Sequence, residues 1–153
     1  MAAPFTAGDV CTRIVTIAEP AMSVTDAARL MREHHVGCLV VVREAPFGRL
    51  PVGMLTDRDI VTAIVAQEAD VRTLRVEDVM SNRLVCAREE DSVPDVLGLM
   101  RRKGVRRVPV TGQQGELLGL VTLDDLLEIV AEQMQAIVAA VSTEQKRERL
   151  LRT

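Results

Sequence analysis

The chain has 153 residues, 48% hydrophobic and 27% charged, which is enough apolar content to fold and excludes a disordered chain. Its net charge is −3 and its aromatic content 1%, so neither a basic field for a polyanion nor a platform of aromatic rings for stacking bases is expected. Three cysteines (Cys11, Cys38, Cys86) form no C-x-x-C, which argues against a disulfide scaffold and for a reducing, cytoplasmic setting.

In chain order, Met1–Phe5 lacks the basic and apolar regions of a secretory signal, and no apolar stretch is read as long enough to span a bilayer. A short apolar strand is predicted at Ile14–Ile17. Ser23-x-x-Asp26 then marks a helix start, and apolar residues at 24, 27, 28 and 31 give it one buried face. Two strands follow, Leu39–Val42 and Pro51–Leu55, joined by the turn Ala45–Gly48 as an antiparallel hairpin. A second helix begins at Thr56. After residues 69–76 the order repeats: strand Leu84–Ala87, helix start Ser92-x-x-Asp95 with Pro94 in its first turn, strands Val108–Val110 and Leu117–Val121, helix from Thr122. The last helix keeps its apolar spacing through Met134, Ile137, Val138 and Val141, beyond the length of the repeat. An apolar stripe in water is unfavourable, so the extension reads as an interface with a second copy or another protein.

Self-comparison makes the duplication explicit. A shift of 69 lays Asp9-Val10 on Asp78-Val79, Ser23-Val24 on Ser92-Val93, and Leu30-Met31-Arg32 on Leu99-Met100-Arg101. A shift of 66 lays Gly53-Met-Leu-Thr56-Asp-Arg-Asp59 on Gly119-Leu-Val-Thr122-Leu-Asp-Asp125. The predicted fold is α/β (α+β): two β-α-β-β-α units, residues 7–68 and 77–133, packed as a pseudo-twofold disc with a C-terminal helical extension over residues 134–153. One unit alone has too few elements to bury its own sheet, which is a physical reason for two.

These motifs, in this order and twice over, resemble the tandem CBS-domain family in the arrangement called a Bateman module. The resemblance rests on Asp9-Val10-Cys11 and Asp78-Val79-Met80, Ala27–Met31, Val105-Arg-Arg-Val-Pro-Val110, and the two G-h-h-T-x-x-D-h segments at 53–60 and 119–126. It implies clefts between the units that hold adenosine-containing ligands such as AMP, ADP, ATP, NAD or S-adenosylmethionine. It implies ribose contacts by Asp59 and Asp125 and phosphate contacts by Thr56 and Thr122. Chemistry supports those roles: a carboxylate accepts from two adjacent hydroxyls, and a helix start with a hydroxyl suits an anion. The same Thr-x-x-Asp is also a capping box, so capping and ligand contact both stand as readings. The chain departs from the family pattern at Leu39-Val40-Val41, where a Pro is common, and at Ile17 and Cys86, where a hydroxyl residue is common.

Arg106 and Arg107 follow Gly104, a helix-ending residue, and are candidates to meet a ligand's phosphates; the alternative for the whole cluster from Arg101 is a solvated helix end. Arg58 in the first T-x-x-D is replaced by Asp124 in the second, so the first site is expected to prefer the more anionic ligand. His34 and His35 are adjacent on a helix end and do not face one another, so no metal site is expected. No catalytic order of Ser, His, Asp or Cys stands out. The functional reading is a non-enzymatic regulatory module that senses an adenosine ligand and acts through a homodimer or a protein partner. A ligand-independent interaction protein is the alternative.

Overall fold

The computed structural model describes residues 5–152. Each half of the chain forms a three-stranded mixed sheet. In the first half β1 (Ile17–Ala18) pairs in parallel with β2 (Cys38–Ala45), which pairs antiparallel with β3 (Gly48–Thr56). In the second, β4 (Ala87–Arg88), β5 (Arg107–Thr111) and β6 (Leu117–Thr122) repeat the pattern. The helices are α1 (Ala7–Val10), α2 (Val24–His34), α3 (Asp57–Ile60), α4 (Val76–Val79), α5 (Val93–Lys103) and α6 (Leu123–Leu151). The predicted helices, hairpins and α/β class are present.

The six α-helices among the described residues begin alike, with an aspartate at the third helical position: Asp9, Asp26, Asp59, Asp78, Asp95 and Asp125. The backbone N–H groups at a helix start lack partners; Asp9, Asp59, Asp78 and Asp125 each accept from the backbone N–H of the residue before their helix, and all six carboxylates oppose the helix dipole. At the other end, α2 and α5 close on left-handed residues, His35 at φ 53° and Gly104 at φ 64°.

The halves exchange their opening segments. Ala7 of α1 is buried with Val96, Val108, Val110, Val121 and Leu126 of the second half. Val76 of α4 is buried with Ala27, Leu39, Val41 and Leu55 of the first. Each segment then crosses the far sheet. Thr12 and Leu120 exchange backbone hydrogen bonds of 2.9 and 3.0 Å, as do Ser81 and Met54. The crossings lie directly over Gly53 and Gly119. A Cβ on Gly53 would meet Met80 Sδ at 2.8 Å and Ser81 O at 2.9 Å, and one on Gly119 would meet Cys11 Sγ at 2.6 Å and Thr12 O at 2.7 Å. The glycine of each G-h-h-T-x-x-D is thus a close-approach residue.

Three expectations change. The first strand of each unit is not at Ile14–Ile17 or Leu84–Ala87 but two residues at 17–18 and 87–88. The stretch before it is occupied by the crossing, which leaves Ile14 92% exposed. The helix from Thr56 does not run on as an α-helix: α3 passes into a π-helical turn, Val61–Val65. The reading that no apolar stretch is long enough for a bilayer is also corrected. An 18-residue window of α6 has mean hydropathy 1.3 with at most two charged residues, so this one helix meets the length and composition for a span. Its first turns nonetheless belong to the protein core: Leu126 is 1% exposed, and Leu123 and Ile129 pack around it.

Candidate functional site

Where the two halves meet, a cleft of about 280 Å³ opens between β3, the Ser81–Val85 segment and the start of β5. Its floor and walls are Met54, Val85 and Val105; its polar groups are Thr56, Asp59, Ser81, Arg83, Arg106 and Arg107. The volume is at the lower end of small-molecule sites, and apolar walls with a few convergent polar groups are the usual composition of such sites.

Thr56 and Asp59 form the capping box of α3. Asp59 Oδ2 accepts from Thr56 N at 2.8 Å, and Thr56 Oγ1 accepts from Asp59 N at 3.1 Å. The recorded bonds of the Asp59 carboxylate use Oδ2, which leaves Oδ1 for another donor. Because each of the six α-helices carries the same aspartate, the cap alone does not single out this end. The arginines do. The side chains of Arg83 and Arg107 make no hydrogen bond or ion pair among the described residues, and that of Arg106 has only an exposed contact, 3.6 Å to Asp124. Such exposed pairs contribute little, so the cleft presents three uncompensated guanidinium groups to one carboxylate.

The two halves differ most sharply here. The register that pairs Arg107 with Thr122 pairs Cys38 with Thr56. The shift of 69 that relates these positions puts Ile14, Gly37 and Cys38 where the first cleft has Arg83, Arg106 and Arg107. No arginine therefore stands at the three positions of the second half's site that are equivalent to those of the first cleft. Thr122 and Asp125 repeat the cap, each bond 3.2 Å. Thr122 lies in a recess of about 200 Å³ with Arg106, Arg107, Leu123 and Asp124, and Asp125 is not among its lining residues. The structure therefore brings together Thr56, Asp59, Arg106 and Arg107 and leaves Arg58 exposed outside both recesses.

Met54, Ser81, Arg83, Val85 and Val105 escaped the sequence reading. Four of them enter only because the second half's opening segment crosses β3 or because β5 starts at the seam. The clue was the G-h-h-T glycine, which signals a close backbone approach.

The cysteines are small packing groups. Burial pushes the thiols of Cys38 and Cys86 up to about 11, and raises that of Cys11. Arg107 acts electrostatically on Cys38 to lower its pKa, and the carboxylates of Asp59 and Asp57 act to raise it, all more weakly than burial. His34 and His35 are exposed at the end of α2. A wider groove of about 430 Å³ runs between α1 and α6 along Phe5, Val10, Ile129 and Ala136, but its charged groups, Asp9 and Glu132, are acidic and would repel an anion.

A sequence profile described as the CBS domain matches residues 7–66 and again 76–132. Hypoxic response protein 1 of Mycobacterium tuberculosis is 34% identical over 127 residues, 83% of this chain and 86% of that protein. The CBS domain-containing protein YhcV of Bacillus subtilis is 38% identical over 118 residues, 77% and 80% of the two chains. Among solved structures, the CBS domain pair of protein MJ0100 in complex with 5-methylthioadenosine and S-adenosyl-L-methionine is 26% identical. It superposes with a TM-score of 0.70, covering 82% of this chain and 98% of that one.

Proposed function

The chain belongs to the CBS-domain family, and from that premise we propose that it is a regulatory module whose first cleft binds an adenosine ligand carrying phosphates. The observation that carries the reading is the meeting of Arg83, Arg106 and Arg107 with Thr56 and Asp59 between apolar walls. In this reading the adenine lies between Met54, Val85 and Val105. The ribose hydroxyls donate to Asp59, and the phosphates take Thr56 and the guanidinium groups, whose fork suits phosphate oxygens. The adenosine ligands of the MJ0100 pair support the class of ligand; the arginines support the preference for phosphate. ATP and ADP are expected to bind this cleft more tightly than AMP or NAD, and S-adenosylmethionine, with its sulfonium, more weakly.

Signalling follows from where the groups come from. Thr56 and Asp59 belong to one half, and the three arginines to the other. A ligand that touches Thr56 and Asp59 on one side and Arg106 and Arg107 on the other makes all its contacts only when the halves are close. The ligand therefore favours the closed arrangement, the differential affinity that a regulatory response requires. With no constellation of base and nucleophile in the cleft, the output is read as passing to the protein's own oligomer or to a protein partner. A ligand-independent interaction role is the second reading, favoured by the exposed apolar residues of α6.

The test is thermal unfolding with AMP, ADP, ATP, NAD and S-adenosylmethionine in parallel, on the natural chain and on Asp59→Ala and Arg107→Ala. A ligand at 100 times its Kd contributes about 2.7 kcal/mol, or roughly 5–10 °C in Tm for a chain of this size. A shift with ATP that both variants lose supports the reading; no shift with any of the five refutes it.

A further inference from the structure

The last helix is the part of the molecule least explained by its own fold. α6 runs 29 residues, roughly 44 Å, and every residue from Val130 to Arg152 is exposed. A helical extension held by so few contacts is marginal alone in water. Leu127, Val130, Met134, Ile137 and Val141 are spaced 3, 4, 3 and 4 residues apart, and each is between 41% and 64% exposed. At 100° per residue these five and Val138 fall within an arc of about 100°. The face carrying Ile129, Glu132, Gln133 and Ala136, which lies along α1, is a different one. A strict alternation of 3 and 4 is the heptad of a left-handed coiled coil, not the 3.6 spacing of a helix lying on a domain.

Charge gives the partner and its direction. The start of α6 is purely acidic (Asp124, Asp125, Glu128, Glu132), whereas its end holds Lys146, Arg147, Arg149 and Arg152 against Glu144 and Glu148. Asp124, Glu128, Lys146 and Arg149 share one flank of the apolar arc on the same helical wheel. A twofold axis across the helix sets that flank against itself with the ends reversed, acid against base; a parallel pair would set acid against acid. We propose that α6 is the dimerisation element of this protein: two copies pair antiparallel through a short coiled coil, Met134 of each layering with Ile137 of the other and Val130 with Val141. This inference rests on α6 alone and is independent of what the cleft binds.

Sedimentation analysis of the full chain tests it. The natural protein is expected to be a dimer whose dissociation rises with salt. Met134→Lys with Ile137→Lys should give a monomer that keeps a cooperative melt, since both side chains lie outside the two cores. Lys146→Glu with Arg149→Glu should weaken the dimer by about tenfold at low salt, four pairs at a few tenths of a kcal/mol each. Adding Asp124→Arg and Glu128→Arg, the acids of the same flank, to that variant should restore it. A monomeric natural chain, a dimer that survives the two lysines, or a charge reversal without effect overturns the proposal. So does co-flotation with phosphatidylcholine–phosphatidylglycerol vesicles, which would assign the stripe to a bilayer.

Discussion

Replacing Gly53 or Gly119 by alanine tests whether the exchange of opening segments holds the two halves together. At Gly53 the added carbon would come within 2.9 Å of Ser81 O, and at Gly119 within 2.7 Å of Thr12 O and 2.6 Å of Cys11 Sγ. A backbone oxygen cannot rotate away, so the crossing strand must lift. Overpacking of this kind costs about 1–3 kcal/mol. Lifting the strand also strains two backbone hydrogen bonds at each crossing, at about 0.5–1.5 kcal/mol each if lost. Against this stands the lower entropy of an unfolded alanine chain, about 0.4–1 kcal/mol. The balance is a destabilisation of about 2–4 kcal/mol. That corresponds to a fall in Tm of roughly 5–15 °C, larger at Gly119 where the nearest groups are closer.

The same measurement has an internal control. Gly98 lies within α5, and a Cβ there meets only the far end of the Arg102 side chain at 3.1 Å. Gly98→Ala should raise Tm, because a mid-helix glycine costs about 0.5–1 kcal/mol relative to alanine. Circular-dichroism melts of the three variants read the signs directly. If Gly53→Ala and Gly119→Ala melt with or above the natural chain, the segments do not cross as closely as described, and the placement of Ser81, Arg83 and Val85 at the cleft falls with them.

Arg83→Ala should remove most of the ATP-induced Tm shift and leave the unliganded Tm within about a degree, since an exposed side chain without a partner holds nothing together. Ser92→Ala should destabilise by about 0.5–2 kcal/mol, read by urea unfolding, because Ser92 Oγ accepts from Asp95 N at 3.2 Å and caps α5. Cys38 and Cys86 should react with iodoacetamide at neutral pH roughly a hundredfold more slowly than free cysteine, their thiols being held near 11 against an ordinary 9.0. By the same linkage, stability is unaffected by these thiols below pH 9 and falls between 9 and 11, where the unfolded thiols ionise and the folded ones do not. A melt flat across that window would contradict their burial.

Much of the fold is legible in the sequence because it is built from local signals used twice. Ser23-x-x-Asp26 and Ser92-x-x-Asp95 are helix starts that need no knowledge of the rest of the chain, and the hairpins announce themselves by apolar runs flanking a turn. The crossings are not local. Thr12 pairs with Leu120 across more than a hundred residues, and nothing in Cys11-Thr12-Arg13 says which sheet it will meet. For that reason Ile14–Ile17 reads as a strand when most of it is connector. It is also why Arg83 was missed while Arg106 and Arg107, flagged by Gly104, were not.

The caps and the crossings make the two halves equal as scaffolds; the charges make them unequal as sites. Selection for folding alone would act on both crossings and all six aspartates, and both halves retain them. It gives no reason for Arg83 and Arg107, whose side chains are unpaired among the described residues, to stand beside Arg106 at one seam. Exposed arginine side chains without partners contribute little to stability. The proposed anionic ligand would give Arg83 and Arg107 the partner that the fold does not. The same reasoning separates Asp59 from Asp125. Each is a cap, but Asp59 alone shares its cleft with all three arginines, so a ligand contact by Asp59 would be held in place by groups that Asp125 lacks.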